Sequence, residues 1–321
     1  MLSKQIWITW ENQVRNRAMS SMLGSSLYVF NCTGGRVKRY VICCFKTIST
    51  LWKEKPAVVY SQNPSIVLVL FLLMMRPIFR YKLVSDAHYA GVVAFNGNKL
   101  FQSILNICNR MVDMVIVTNS DHARFIHDVG GKAVVCEDPL PDLTAYTRRY
   151  DDQSRTVFFI CSYDVDEPYK MVFEAANLLA KEGFTLCVTG NYVKAHIDPK
   201  DYPAVSFLGY LPEAQYYEQL MSSSIVLDLT ENENCLVCGA YEAMSAGKPL
   251  ITSNTSSLRS FFTKGTVFTD HNVDDLIEAV KVAYKNRQQL SNDIVEWKEW
   301  AINRQAFNAK QIFEEIGIDC V

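Results

Sequence analysis

The sequence predicts an α/β protein with parallel sheets, and three observations support this class. Short apolar runs rich in β-branched residues alternate along the chain with stretches of helical spacing, which is the pattern of strands joined by crossover helices. The stretch 224–253 contains one complete unit of this kind: a strand, a polar loop, a helix and a second strand. The length of 321 residues leaves room for two domains of ordinary size.

The composition predicts a globular protein with a cytoplasmic location. Hydrophobic residues make up 49% and charged residues 21% of the chain, so a sizeable core is expected rather than disorder. The formal charge of −2 predicts no overall affinity for nucleic acid, and any basic patch must be local. The ten cysteines are scattered, often inside apolar runs, which favours reduced thiols over a disulfide framework. Charged residues come too early for a secretory signal.

Six strands are predicted in the first half of the chain. They are expected at 6–10, 27–30, 57–60, 81–85, 111–119 and 133–136. Helices are expected at 11–23, from Pro64 to Met75, and from Ser120 to a stop at Gly130. Two interpretations of the first strand-to-helix turn stay open, contact with a ligand or a solvated helix start. The side chains concerned are Trp10, Glu11, Arg15 and Arg17.

The second half repeats the alternation after a polar, proline-containing tract at 137–152. Strands are expected at 156–161, 185–191, 205–212, 225–229, 250–252 and 265–268. Helices are expected at 171–180, 213–221, 237–246 and 274–285, with a long final helix from about residue 292. We therefore place a first domain at 1–150, a second at 151–290 and a final helix at 291–321.

The most informative helix follows the strand 225–229. Gly247 suits the left-handed residue that ends a helix, and Pro249 cannot continue it. The other end of this helix offers unpaired backbone N–H groups and a partial positive charge, which suit a diphosphate. Glu242 lies about one turn inside, where a carboxylate can accept hydrogen bonds from sugar hydroxyls.

The segment Glu242–Pro249 reads EAMSAGKP and resembles the Glu-Ala-Met-x-x-Gly-x-Pro signature of GT-B glycosyltransferases. This resemblance implies two Rossmann-like domains whose parallel sheets face each other across a cleft. The first would bind the acceptor and the second a UDP- or GDP-sugar, with the final helix crossing back to the first domain. Many retaining members carry a second Glu eight positions before the first; this chain has Asn234 there.

The same resemblance assigns roles in donor binding. Glu242 would hold the ribose. The backbone N–H groups from Leu236 through Val237 and Cys238 to Gly239 would stabilise charge on the departing diphosphate. Lys170 is the nearest candidate to pair with that diphosphate, with a charged helix start as the rival interpretation. Gly190 and Gly209 end strands at positions where backbone groups cup the base in this family.

Asp86 and His88 are the candidate catalytic residues of the first domain. They stand two apart at the end of a predicted strand, before the flexible Gly91. The resemblance leaves two mechanisms open. Asp86 would take a proton from an acceptor hydroxyl in an inverting enzyme, whereas His88 would bind the transferred sugar in a retaining one.

An unbroken apolar run at 66–75 is followed by Arg76, Arg80 and Lys82. The run is too short to span a bilayer, which takes about 20 residues. Two interpretations stay open, a buried helix or a peripheral membrane face with flanking cations.

Taken together, we expect a cytoplasmic glycosyltransferase of cell-surface polysaccharide biosynthesis. Its acceptor would be a lipid-linked saccharide or an oligosaccharide, and a location on the inner face of the membrane stays open. No Asp-x-Asp motif is present, so transfer without a metal ion is expected. The alternatives are an inactive partner subunit, which Asn234 keeps open, and a nucleotide-sugar epimerase or a phosphorylase on the same scaffold.

Overall fold

A computed structural model describes residues 4–63, 66–87, 89–93, 98–146 and 154–318 of the chain. The chain divides into two compact units. The first contains Met1–Pro139 together with Asn303–Val321, and the second contains Leu140–Ile302. Each unit holds one six-stranded sheet in which every strand pairing is parallel. The predicted α/β class with two parallel sheets is therefore confirmed.

The sheet of the first unit has the strand order β2-β1-β3-β4-β5-β6. Its strands are β1 (Gln5–Thr9), β2 (Ser26–Val29), β3 (Val58–Asn63), β4 (Lys82–Ala87), β5 (Met114–Val117) and β6 (Ala133–Val135). Its helices are α1 (Val14–Met22), α2 (Arg36–Glu54), α3 (Ile66–Phe79), α4 (Tyr89–Val92), α5 (Lys99–Met111) and α6 (Ser120–Asp128).

Alternate strand residues of the first unit point into two separate cores, as the pleat of a sheet requires. One core joins Ile8, Val59 and Leu83 to the inner sides of α2, α3 and α5. The other joins Trp7, Tyr60 and their neighbours to α1 and to the end of the last helix of the chain. Both faces of the sheet are thus covered, which explains its nearly continuous apolar strands.

The sheet of the second unit has the strand order β12-β11-β10-β7-β8-β9. Its strands are β7 (Thr156–Phe159), β8 (Thr185–Thr189), β9 (Val205–Gly209), β10 (Ile225–Asp228), β11 (Leu250–Ser253) and β12 (Thr266–Thr269). Its helices are α7 (Tyr169–Lys181), α8 (Glu213–Ser222), α9 (Cys238–Ser245), α10 (Ser256–Phe261) and α11 (Val273–Lys285), and a 3-10 turn covers Pro199–Asp201. Helices α7 and α11 cover one face, whereas α8, α9 and α10 cover the other.

Local sequence signals place several of these helix ends. The side chain of Asn119 accepts a hydrogen bond from the backbone N–H of His122 and so caps α6. Asn272 caps α11 in the same way. Gly247 follows α9 with a φ of 68°, the left-handed conformation expected from the sequence.

The last helix, α12 (Arg287–Ile316), contributes to both units. Ile294, Trp297 and Ala301 are buried in the core of the second unit that contains α8 and α9. Ile312 and Phe313 are buried against β1 and β3 in the first unit.

Several elements of the first unit differ from the sequence-based expectation. Strand β4 continues to Ala87, so Asp86 lies inside the strand and not after its end. Helices α2 and α5 fill stretches for which no element was predicted. Among the described residues, no helix combines the length and the apolar character needed to cross a bilayer.

Candidate functional site

The candidate site of the second unit lies where the strand order changes direction. Strands β7 and β10 are neighbours, but the chain leaves β7 toward β8 and leaves β10 toward β11. The loops that follow these two strands lie at the carboxyl edge of the sheet, at this change of direction. Open α/β sheets bind their ligands at such a point.

The loop after β7 is folded around one carboxylate. Glu167 accepts hydrogen bonds from the backbone N–H of Ser162 at 3.1 and 2.9 Å and from that of Asp164 at 2.9 Å. The loop is also tied to the one after β10, because Thr230 Oγ1 donates to Asp166 Oδ2 at 2.6 Å. The two loops are therefore held in place by their own hydrogen bonds.

Asp228, the last residue of β10, meets the N-terminus of α9. Its carboxylate accepts hydrogen bonds from the backbone N–H groups of Gly239 and Ala240. A Cβ atom on Gly239 would lie 2.6 Å from Asp228 Oδ2, so a glycine is needed for this approach. Burial raises the pKa of the Asp228 carboxyl well above its usual range, and the nearby carboxylates of Glu167 and Glu242 raise it further.

Glu242 is the fifth residue of α9 and is half-buried. Its carboxylate accepts hydrogen bonds from the hydroxyls of Tyr216 and Tyr217, the latter at 3.5 Å. Burial raises the pKa of Glu242 to about 7, although the tyrosine hydrogen bonds act in the opposite direction. Glu242 is thus a carboxylate with shifted protonation beside the helix terminus, a common feature of functional sites.

The predicted phosphate contacts surround the start of α9. Val237 precedes the helix without making a side-chain cap, and Cys238 is its exposed first residue. Leu236 is half-buried. The backbone N–H of Asn234 donates to Asn232 Oδ1 at 3.1 Å. Of the predicted N–H donors, that of Gly239 is engaged by Asp228.

The other predicted donor-binding residues line the same edge of the sheet. Lys170 is exposed in the first turn of α7, directly after the loop that Glu167 organises. Gly190 and Gly209 follow β8 and end β9, and the N–H of Gly190 donates to the carbonyl of Gly209 at 3.1 Å. Both glycines have positive φ angles, 93° and 70°. A Cβ on Gly190 would lie 2.1 Å from the carbonyl oxygen of Cys161, so this close approach requires a glycine.

In the first unit, Asp86 is fully buried and bound to Arg15. Arg15 Nη2 lies 2.7 Å from Asp86 Oδ1, and Nε lies 2.9 Å from Oδ2. The same guanidinium contacts Asp138 at 2.5 Å and the carbonyl of Cys136 at 3.1 Å. These carboxylates hold the pKa of Arg15 well above its ordinary value even though its burial acts to lower it. His88 lies outside the described residues.

The first unit also has a cavity of about 170 Å³. It lies at the point where its own strand order changes direction, between the ends of β1 and β3. Its lining combines aromatic, charged and apolar side chains, from Trp10, Glu11, Arg39, Tyr40, Cys43, Ile66 and Val67. Arg39 lies over the ring of Tyr40, 5.4 Å from its centroid. Ligand contact was one of the two interpretations left open for Trp10 and Glu11 in the sequence analysis.

Three features of these sites were absent from the sequence analysis. Tyr216 and Tyr217 reach Glu242 from α8, and no sequence pattern links the two helices. Asp228 did carry a signal, because a lone carboxylate ends an otherwise apolar strand.

Among the described residues, no group of three or more His, Cys, Asp or Glu side chains is placed to hold a metal ion.

Comparisons with known proteins agree with this geometry. Residues 170–306 match the family model described as "Glycosyl transferase-like". A search of curated proteins gives no match. The predicted resemblance to GT-B glycosyltransferases is confirmed by the match of this segment and by the fold.

Three solved structures show how widely this fold is shared. HepE (Alr3699) from Anabaena, in complex with UDP and glucose, is 14% identical with a TM-score of 0.72; the match covers 98% of this chain and 99% of HepE. Sucrose-phosphate synthase from Thermosynechococcus elongatus is 12% identical with a TM-score of 0.74, covering 98% and 99%. UDP-GlcNAc 2-epimerase from Methanocaldococcus jannaschii is 12% identical with a TM-score of 0.57, covering 86% and 91%. The chain therefore has the GT-B fold.

Proposed function

We propose that this protein is a glycosyltransferase that moves a sugar from a UDP- or GDP-sugar to an acceptor hydroxyl. The observation that carries the proposal is the position of Glu242, a half-buried carboxylate beside the start of α9 at the change in strand direction. It lies within the segment that matches the glycosyltransferase-like family model. The structural neighbour HepE, which binds UDP and glucose, supports the choice of donor.

In the proposed donor complex each part of the nucleotide meets a different element. The base lies near Gly190 and Gly209, and the ribose hydroxyls donate to Glu242. The diphosphate faces the start of α9, where the N–H groups of Leu236, Val237 and Cys238 supply hydrogen bonds. Lys170 adds a positive charge. Asn234 lies beside the transferred sugar.

The proposed reaction breaks the bond between the anomeric carbon and the diphosphate while the acceptor oxygen bonds to that carbon. The nucleoside diphosphate leaves with the electron pair, and the helix N-terminus stabilises its charge. We propose that no metal ion takes part, because the N–H groups and Lys170 face the leaving group. Turnover is then expected to be unchanged by EDTA.

In an inverting reaction the proton of the acceptor hydroxyl needs a base, and Asp86 is the candidate for it. In a retaining reaction His88 would instead bind the transferred sugar. Because Arg15 binds both oxygens of Asp86, a base role requires this ion pair to open. A role for Asp86 in holding Arg15 and the end of β6 in place is therefore the alternative that we test below.

We propose a lipid-linked saccharide as the acceptor, used in cell-surface polysaccharide biosynthesis at the cytoplasmic face of the membrane. The cavity of the first unit supports this choice. Trp10 and Tyr40 offer aromatic surfaces for a sugar, Arg39 offers a partner for an acceptor phosphate, and Ile66 and Val67 add apolar surface.

A nucleotide-sugar epimerase is the second candidate, since an epimerase shares the fold. Melting temperatures measured with UDP, GDP and their sugars test donor binding and base preference together. We expect one nucleotide family to raise the melting temperature of the wild type and to have a smaller effect on Glu242→Gln. No shift with any nucleotide would overturn the proposal and favour an inactive partner subunit.

The same samples separate transfer from epimerisation. The UDP- or GDP-sugar that binds is incubated without an acceptor and followed by proton NMR. A transferase leaves the sugar configuration unchanged and releases nucleoside diphosphate only when a lipid-linked saccharide is added. Conversion to an epimer in the absence of an acceptor would replace the transferase assignment.

A further inference from the structure

The first unit exposes apolar side chains on three of its helices. On α2 these are Val37, Val41, Phe45 and Trp52, with exposed fractions of 78%, 49%, 69% and 71%. On α3 they are Val67, Leu70, Met74 and Ile78, and on α5 Leu100, Phe101, Ile107 and Met111. The spacing within α2 and within α3 places each set on one side of its helix, away from the core.

The three helices are neighbours on one face of the sheet. Helix α3 packs against both α2 and α5. Their inner sides are buried in a shared core through Cys43, Leu72 and Cys108. The exposed residues are therefore an additional apolar surface and not a displaced part of the core. We call this outer surface the α2–α3–α5 face.

The charge of these helices is strongly biased. The three sequences together contain eight Lys or Arg residues and a single acid, Glu54, which is an excess of seven positive charges. The single acid is paired with Lys4. The whole chain has a formal charge of −2, so the rest of the sequence is strongly acidic. The apolar residues and the cations are thus concentrated in the same segments.

We propose that the α2–α3–α5 face docks the protein onto the surface of an anionic lipid bilayer. Apolar side chains surrounded by Lys and Arg enter the interface between headgroups and acyl chains, and the cations attract anionic lipids. A second copy of this chain fits the face less well. A twofold contact would bring the same positively charged helices against each other.

The cavity of the first unit links this face to the acceptor. Arg39 and Tyr40 belong to the first turns of α2, and Ile66 and Val67 begin α3. The cavity therefore lies at the N-terminal ends of two helices of the docking face. This placement suits an acceptor held in the membrane, and that part of the inference rests on the proposed function.

Sedimentation of the full chain with lipid vesicles tests the proposal. We expect co-sedimentation at low salt with vesicles of phosphatidylcholine mixed with phosphatidylglycerol. We expect little with phosphatidylcholine alone and release at high salt, because salt screens the attraction. A protein that stays in the supernatant with anionic vesicles at low salt overturns the proposal, as does equal binding to both compositions.

Two sets of variants probe the two components of the face. Phe45→Ser with Met74→Ser removes exposed apolar groups, and Lys38→Glu with Lys46→Glu reverses two exposed charges. Each pair is expected to weaken vesicle binding by about tenfold or more. The melting temperature should change little, since these side chains are exposed.

Matched substitutions in the second unit are the controls. Val295→Ser with Ile302→Ser, and Lys181→Glu with Lys285→Glu, change exposed residues of the same kinds and should leave vesicle binding unchanged. Equal loss in these controls would overturn the assignment of the face. So would a dimer in solution that Phe45→Ser with Met74→Ser converts to a monomer. Binding of UDP and GDP is measured separately, without vesicles. A protein that binds a nucleotide but no anionic vesicles would contradict the membrane-docking proposal and leave the proposed function standing.

Discussion

Arg15 binds both carboxylate oxygens of Asp86, at 2.9 Å through Nε and at 2.7 Å through Nη2, inside the first unit. Both side chains are buried, so removal of the Asp86 charge leaves Arg15 with one carboxylate partner in place of two. For Asp86→Asn we expect a loss of about 2–4 kcal/mol in the free energy of unfolding. This expected loss is near the lower end of the range for breaking a buried ion pair, because Asp138 still binds Arg15.

Chemical denaturation measures this loss, and Glu296→Gln is the control. Glu296 pairs with Lys264 on the surface, where solvent screens the charges, so its substitution should change the stability little. An Asp86→Asn variant of unchanged stability that still binds donor but no longer transfers sugar would instead identify Asp86 as a base. Near-normal turnover would eliminate that role.

Glu242→Ala is expected to weaken nucleotide binding. The ribose hydroxyls would lose a charged acceptor, which typically contributes about 1.5–3 kcal/mol. Titration calorimetry with the preferred nucleoside diphosphate measures the change. Glu218→Ala, an exposed residue of the neighbouring helix α8, should bind like the wild type. An unchanged dissociation constant for Glu242→Ala would remove Glu242 from the donor site.

The raised pKa of Glu242 also predicts a pH-dependent stability difference. Because the pKa is about 7 in the folded protein and about 4.3 in an unfolded chain, the folded state binds more protons between these values. Its contribution to stability is complete below about pH 4 and is lost as the pH rises through 7. Glu242→Gln lacks this titration. Its free energy of unfolding relative to the wild type should therefore rise by about 1–3 kcal/mol from pH 5 to pH 8.

Denaturation curves at both pH values measure this gain. Glu218→Gln, whose carboxyl is exposed, provides the comparison. A stability difference between Glu242→Gln and the wild type that does not change with pH would contradict the assigned pKa shift.

Gly190 and Gly209 should respond differently to the same substitution. Both have positive φ angles, so alanine costs about 1–2 kcal/mol in backbone strain at either position. At Gly190 the new Cβ would also lie 2.1 Å from the Cys161 carbonyl oxygen, whereas at Gly209 the nearest atom is 3.8 Å away. Gly190→Ala should therefore lower the melting temperature clearly more than Gly209→Ala. Equal effects would show that the loop after β7 can move aside.

Asp228→Asn is expected to keep the fold and to change diphosphate binding little. The amide oxygen can still accept from Gly239 or Ala240, and the raised pKa of Asp228 already favours its neutral form, so the substitution removes little negative charge near the helix start. Asp228→Ala loses the cap and should cost about 1–2 kcal/mol. Calorimetry with UDP or GDP and denaturation curves measure the two effects. Weaker nucleotide binding by Asp228→Asn would mean that the carboxylate itself contacts the donor.

The sequence predicts the second unit better than the first. All six strands of the second unit and the helix carrying Glu242 are placed within a few residues, because short buried strands and glycine stops are local signals. Helices α2 and α5 were not anticipated. Both helices do follow the helical pattern of a buried and an exposed side, with Thr47 and Leu51 buried on α2 and Leu105 on α5, so this local signal was present but was not used.

Contacts between residues that lie far apart in the sequence could not be predicted from local patterns. Arg15 is separated from Asp86 by 71 positions, and Tyr216 from Glu242 by 26. Arg15 was interpreted as a candidate for ligand contact, yet the structure buries it against two carboxylates. No local periodicity encodes such a pairing, because it depends on which strands become neighbours.

The sharing of α12 between the two units limits how the protein can be divided. A fragment that ends near residue 139 would lack Ile312 and Phe313, and part of its core would face water. The gene therefore cannot be cut once to give two independently folding halves. Separate production of the first unit would require residues 303–318 to be supplied as a peptide or joined through a new linker.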